Sequence, residues 1–273
     1  MPIKFRLGTM INSFLTRFGY KLVTFDRESK RTFSEDQYLK AIIELSALYN
    51  KFVFDKELTT DEECLKLLSK SMYTHFGTGL YLIEYLHRSL TLEGDVCEFG
   101  VAQGAMSAVL AHEIKNTNKN IWLFDSFEGL PAPSEKDILI NDLFRLGSIQ
   151  SYKGVFSFPE DIVKARLSDI SFPPDRTRIV PGFIEKTIHG PNLPQTVCFA
   201  YIDFDLYEPV LIALHFLDTV LQPGGFIIID DYDFFTKGPK FAVDEFYESR
   251  KEKYSMTFPI RKAGKFCILC RKN

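Results

Sequence analysis

Two stretches decide the fold: AYIDFDLYEP at 200–209 and GGFIIIDDYDFF at 224–235. Each is an apolar run that stops in a pair of acids, Asp203 and Asp205 in the first, Asp230 and Asp231 in the second. An unbroken apolar run such as Phe226-Ile-Ile-Ile229 suits a strand covered on both faces, the condition of a parallel sheet sandwiched by helices. Short strand candidates lie at 95–101, 121–127, 178–183, 197–205 and 226–231. Helical stretches fall near 103–115, 159–168, 207–221 and 241–250. Strands alternating with helices give an α/β fold whose mostly parallel sheet carries helices on both faces. Stretches 257–261 and 265–271 are expected to close it as an antiparallel hairpin. The long, polar, Pro- and Gly-punctuated stretch 128–157 reads as a lid over the ligand-binding edge.

Upstream, residues 1–90 are expected as a helical extension and 91–273 as the sheet-bearing domain. Ser34–Gln37 and Thr60–Glu63 match the capping box, in which side chains satisfy the free N–H groups of a helix start. Apolar residues at helical spacing follow each, and a third helical pattern runs over 79–90. Met10, Ile11, Phe14, Leu15 and Phe18 form one more amphipathic pattern. It fits packing on its own domain, a second copy in a homodimer, or a membrane surface.

The composition is that of a globular chain. Its 273 residues are 45% hydrophobic and 25% charged, with a net charge of −3, which excludes a disordered or collagen-like chain. The slight acidity gives no basic face for nucleic acid. No run of ~18 apolar residues exists, so no transmembrane span is expected. Five scattered cysteines do not form a disulfide framework, which fits a cytoplasmic protein. Cys267 and Cys270 form a C-x-x-C inside the last strand candidate, with no second pair at zinc-site spacing. They read as strand thiols on opposite faces.

In open parallel sheets, ligands bind beyond the carboxyl ends of the strands. The first such end reads Glu98-Phe-Gly100-Val-Ala-Gln-Gly104. A dinucleotide fingerprint would have glycine where Glu98 stands, and a carboxylate there would repel a pyrophosphate but attract an ammonium or sulfonium. Gly100 and Gly104 let a ligand approach the backbone, and the following helix start can receive a carboxylate. The same spacing also fits a plain strand-to-helix turn. The second strand ends in Asp125-Ser126, where an acid can hold a ribose diol or simply cap a helix. An amino-acid tail at Glu98 and a ribose at Asp125 together describe S-adenosylmethionine.

Four carboxylates at two neighbouring apolar strand ends would disfavour each other's ionisation. A divalent cation would resolve that repulsion, and all-oxygen ligation suits magnesium, calcium or manganese better than zinc. Such a cation could acidify a substrate hydroxyl and place it in line with a sulfonium methyl, while a nearby carboxylate takes the proton.

The segments GDVCEFGVAQG (94–104), WLFDSFEGLPAP (122–133), AYIDFDLYEP (200–209) and LQPGGFIIIDDYDFFTKGPKFAVDEF (221–246) resemble the macrocin O-methyltransferase family, whose members include metal-dependent sugar O-methyltransferases. The resemblance covers roughly 70–250 and implies a class I methyltransferase fold, S-adenosylmethionine as donor, magnesium as metal and a sugar-containing small molecule as acceptor. By position, Asp203, Asp230 and Asp231 match the family's metal ligands and Asp205 its proposed catalytic base. Glu98, Gly100, Gly104, Asp125 and Ser126 fall in its cofactor motifs. Thr74 matches an upstream cofactor contact, and Gly182 and Phe183 lie where the adenine end would approach. One departure is Phe204, where comparable members carry a small residue between the two acids.

Two rivals compete. A phosphotransferase would also use a D-x-D, but on the first strand and with a hydroxyl two residues after the second acid, where Tyr207 stands. A non-catalytic, oligomerising version of the fold would have no cofactor affinity. His75 and His189 are alternative bases, and Tyr207 and Tyr232 are candidate acceptor contacts.

Overall fold

The computed structural model describes residues 35–54, 60–71 and 74–273. Leu39–Asn273 forms one compact unit, and the described residues 35–38 fall outside it. Ser34 and the amphipathic pattern at 10–18 lie outside the described residues.

The described strands form one sheet in the order β3-β2-β1-β4-β5-β7-β6. They are β1 (Asp95–Phe99), β2 (Ile121–Asp125), β3 (Thr177–Pro181), β4 (Val197–Ile202), β5 (Leu221–Ile229), β6 (Tyr254–Thr257) and β7 (Cys267–Arg271). The first five run parallel, and β7 pairs antiparallel with both β5 and β6. Chain order reverses between β1 and β4, so a crevice opens beyond their carboxyl ends.

The period-two alternation of side chains divides the core. Val96, Tyr201 and Ile228 face one helical layer: α2 (Glu62–Ser69), α3 (Phe76–Ser89), α4 (Ala105–Ile114) and α5 (Glu160–Asp169). Cys97, Phe99, Ile202, Ile227 and Ile229 face the other: α6 (Ile184–Thr187), α7 (Tyr207–Val220) and α8 (Gly238–Glu248). Each fully buried Ile or Leu contributes roughly 1.5–3 kcal/mol, so the all-buried Ile227–Ile229 run anchors β5 to both layers at once. The first described helix, α1 (Glu35–Phe52), turns Ile42, Ser46 and Tyr49 inward. No helix among the described residues is long and apolar enough to cross a membrane.

Several local expectations shift. Asp61, not Thr60, caps α2 by accepting from Cys64 N at 2.8 Å. Thr60 instead donates to Glu113 at 2.7 Å. Helix α3 starts at Phe76, where Nδ1 of His75 accepts from Gly77 N. The hairpin's first strand is β6, ending at Thr257 rather than starting there, because Pro259 just beyond has no N–H for a ladder. Strand β5 starts earlier, at Leu221, despite its Pro-Gly-Gly. Cys267 is buried in β7 and Cys270 half-buried, and both are free thiols.

Candidate active site

The register aligns the strand ends. Phe99 pairs with Phe124 on one side and Ile202 on the other, and Ile202 pairs with Ile229. The residues that follow these positions therefore meet at one edge. Asp203 N donates to Phe99 O and Asp230 N to Ile202 O, so each first acid is still fastened to its neighbour strand. A cavity of about 400 Å³ opens there, a size that suits a small-molecule ligand. Thr74, Glu98, Gly100, Asp125, Ser126 and Phe183 line it, and so do Asp203, Asp205, Asp230 and Asp231. Gly104 and Gly182 do not. At φ 73° and 123° they shape the chain behind the wall, Gly104 as the start of α4 and Gly182 by donating its N–H to Asp125 O.

The acidic half is buried and mutually repulsive. Burial, then the charges of Asp230 and Asp231, push the Asp203 carboxyl well above its usual range. Burial and Asp203 push Asp205 up to about 8. Burial followed by Asp205 and Asp230 raises Asp231 strongly, and burial raises Asp230. Asp205 and Asp231 crowd each other at this edge, and the charge of Asp205 is the first neighbour to push Asp231 up. The strand ends at Ile202, short of the expected 205, and Asp205 and Asp231 both adopt left-handed backbone at φ 63° and 55°. Strand alternation therefore does not place Asp205; a turn does.

Tyr201 is a site residue that the sequence motifs do not single out. Its hydroxyl donates between Asp230 Oδ2 at 2.7 Å and Asp203 Oδ2 at 3.0 Å. A signal for it exists: Tyr201 lies two residues before Asp203, so its side chain leaves the strand on the same face. The donor set is hard and all-oxygen, which fits magnesium or calcium. Among the described residues, no three His, Cys, Asp or Glu side chains already converge as a ligand group.

On the cofactor side, Glu98 is 1% exposed. Burial pushes its carboxyl up to about 8 against the opposing hydrogen bond from Ser107 Oγ. A buried carboxyl at this place on the cavity wall suits a cationic partner. Asp125 accepts from Val101 N, Ala102 N and Phe127 N at 2.7–3.0 Å, so it first organises the loop after β1. Its two oxygens offer about four lone-pair sites in all, which leaves one for a ligand hydroxyl. Ser126 donates to Gly129 O and accepts from Glu128 N, setting the turn into the lid.

The other candidates sort plainly. The hydroxyl of Tyr207 is held by Lys136 and Glu245, and that of Tyr232 by Lys240 and Asp244; neither side chain lines the cavity. His189 is exposed and away from it. His75 is a helix cap, its Nδ1 accepting from Gly77 N, and it does not line the cavity. Phe204 lines the cavity and also packs edge-on against Phe99 at 6.0 Å. The lid adds apolar walls that no sequence motif marks. Leu143 and Phe144 are 43% and 45% exposed at the mouth, beside Phe156 and Phe234.

The chain is similar to known proteins in sequence and in fold. The family model described as Macrocin-O-methyltransferase (TylF) matches residues 84–272. The 8-demethyl-8-(2,3-dimethoxy-alpha-L-rhamnosyl)-tetracenomycin-C 4'-O-methyltransferase of Streptomyces olivaceus is 30% identical over 203 residues, 71% of this chain and 76% of that protein. The mycinamicin III 3''-O-methyltransferase of Micromonospora griseorubida is 29% identical over 51% of this chain and 55% of its own length. In fold, the structure of the O-methyltransferase NovP superposes with a TM-score of 0.62 at 21% identity, covering 88% of this chain and all of that one. The calicheamicin methyltransferase CalS11 gives 0.56 at 20% identity, covering 92% and 98%.

Proposed function

This chain belongs to the macrocin O-methyltransferase family and is an O-methyltransferase, and on that premise we propose that it methylates a sugar hydroxyl of a glycosylated natural product or glycan precursor, with S-adenosylmethionine as donor and magnesium at its acidic edge. The observation that carries this reading is the shared cavity. It sets a buried, cation-seeking Glu98 and a ribose-facing Asp125 against four carboxyls from two neighbouring strand ends. Relatives whose names specify sugar methylation support the acceptor class. The five free cysteines accord with a cytoplasmic setting.

When bound, S-adenosylmethionine supplies an electrophilic methyl and magnesium supplies polarisation of the acceptor hydroxyl. The rest falls to the chain. Glu98 receives the ammonium of the donor's amino-acid tail, and in doing so gives up the proton that burial makes it hold. Asp125 accepts from the ribose while keeping the loop after β1 in place. Phe183 offers a ring face to the adenine end. Asp203, Asp230 and Asp231 present the oxygen donors for the metal, with Tyr201 fixing the first two. Asp205, at the same edge, takes the acceptor's proton. The apolar lid residues Leu143 and Phe144 cover the aglycone and keep water from the reacting oxygen.

The test is direct. The full chain is incubated with labelled S-adenosylmethionine, magnesium and a rhamnosylated polyketide, and the product is followed by mass. Transfer of one methyl to the sugar is expected. No calorimetric binding of S-adenosylhomocysteine would sink the reading and favour a non-catalytic fold.

A further inference from the structure

Asp205 occupies a conformation that its own segment does not secure. Leu206 N donates to Phe204 O at 2.6 Å, which closes a three-residue γ-turn around Asp205 at φ 63°. The positive-φ form of this turn is the rare and strained one. Such strain persists only where the surroundings over-determine it. Helix α7 begins two residues later, and its cap position is Leu206, which has no side-chain acceptor to offer.

Two residues outside the cavity supply what is missing. Asp137, on the lid and 3% exposed, accepts the Tyr207 N–H at 2.7 Å through Oδ1. Its Oδ2 is held by Ser134 N and Oγ at 2.7 and 2.8 Å. Thr236, fully buried, donates from Oγ1 to Asp205 O at 2.9 Å and accepts from Gly238 N. The start of α8 reaches the same point. A Cβ on Gly238 would stand 2.0 Å from Asp137 Oδ1 and 2.6 Å from Tyr207 N, so only glycine lets this helix end in. The carboxylate of Asp137 thus lies against two helix N-termini, where negative charge is favoured.

We infer that Asp137 and Thr236 are positioning residues that hold the Asp205 turn, and that Asp205 is correctly aimed only while the lid is seated. The inference rests on the reading of Asp205 as the proton acceptor. The lid is fastened to the same segment throughout. Ile140 N donates to Phe235 O, Lys237 N donates to Ile138 O, and Leu139 bridges Thr236. Lys136 pairs with Glu245 and Tyr207. Seating the lid therefore caps α7 and fixes the turn in one event, so a proton acceptor is completed only over a covered site.

The experiment compares Asp137→Ala with Asp137→Asn, and Thr236→Val with Thr236→Ser, in the full chain. Thr236→Ser keeps the hydroxyl that meets Asp205 O, and Asp137→Asn keeps one acceptor for Tyr207 N while giving up the charge and the second acceptor. Turnover of the rhamnosylated polyketide and calorimetric affinity for S-adenosylhomocysteine are measured, with amide exchange at Tyr207. Removing such a buried partner is expected to lower kcat about tenfold or more. S-adenosylhomocysteine affinity should stay within about twofold, and the Asn and Ser variants should recover most of the loss. Tyr207 should lose protection in Asp137→Ala and keep it in Asp137→Asn. If Asp137→Ala does not fold, the Thr236 pair decides. A kcat within about twofold of wild type in Thr236→Val, or equal losses in both members of a pair, overturns the inference. If the wild type itself fails to turn over, the proposed reaction falls, and unchanged Tyr207 exchange in Asp137→Ala would separately remove the geometry.

Discussion

The Tyr201 hydroxyl lies 2.7 Å from Asp230 Oδ2 at a fully buried strand position. The same oxygen is 3.0 Å from Asp203 Oδ2. A phenol has one proton, so it satisfies one of the two carboxyls at a time. The other must bring its own proton or face a cation. Tyr201→Phe removes the shared donor and leaves two buried carboxyls opposed. The ligand-free protein should lose about 1–3 kcal/mol of stability. Chemical denaturation in EDTA checks it, and an unchanged midpoint would show that the hydroxyl is dispensable.

The same crowding makes metal removal informative. Turnover should vanish in EDTA and return with magnesium, because the acids repel one another when nothing neutralises them. Asp203→Ala and Asp230→Ala should each abolish turnover while S-adenosylhomocysteine still binds, since Glu98 and Asp125 stand on β1 and β2 and keep their own hydrogen bonds. Full activity of either variant in EDTA would remove the metal from the mechanism.

Asp205→Asn keeps the shape and the left-handed turn, which Asn tolerates well, but removes the carboxylate proposed as proton acceptor. A fall of kcat by ~10²–10⁴ is expected from loss of general-base assistance. S-adenosylhomocysteine affinity should be preserved. A loss below about threefold would transfer the base role to another group.

Much of this site is legible in the amino-acid sequence. The apolar run Phe226–Ile229 ending in Asp230-Asp231 locates a buried parallel strand and the end of it that lines the cavity, because strand burial and the cavity's place are both set by the sheet. Glu98 and Asp125 are legible for the same reason. What escapes depends on turns and on distant segments. Strand alternation cannot place Asp205, because the strand stops at Ile202 and a γ-turn takes over. Asp137 carries no local signal, since its partner Tyr207 is 70 positions away. The capping box at Thr60 fails by one residue because Asp61 is an equally good cap and Thr60 pairs with Glu113.

Glu98 gives a pH prediction with a definite sign. Its folded carboxyl is raised to about 8, mainly by burial, whereas an unfolded Glu titrates near ~4.3. Between those values the native state holds a proton that the unfolded chain has released. Its contribution to stability is therefore full below ~4.3, falls as pH rises toward about 8, and is level beyond. Glu98→Gln should flatten that decline in the ligand-free protein. An ammonium ligand needs the ionised form, so S-adenosylhomocysteine binding should release a proton at neutral pH. Calorimetry in buffers of different ionisation enthalpy reads this release. Equal proton release in wild type and Glu98→Gln would rule Glu98 out as the tail's partner.

Gly100 tests whether the crevice depends on the closeness of β1 and β4. Its backbone is at φ 89°, and a Cβ there would stand 1.9 Å from the carbonyl oxygen of Asp203. That neighbour is backbone, and it is tied in place because Asp203 N donates to Phe99 O at 2.6 Å. The contact cannot be relieved by turning a side chain. Gly147 is the control: it lies at φ 83° with nothing within 4 Å of a Cβ. Gly147→Ala should show the conformational penalty alone, roughly 1–2 kcal/mol. Gly100→Ala adds the collision and should exceed about 3 kcal/mol, in the range reserved for broken packing. The collision also displaces Asp203, so any folded Gly100→Ala should lose turnover and magnesium response together. Equal destabilisation of the two variants, with Gly100→Ala still active, would mean that the approach of these strands does not build the site.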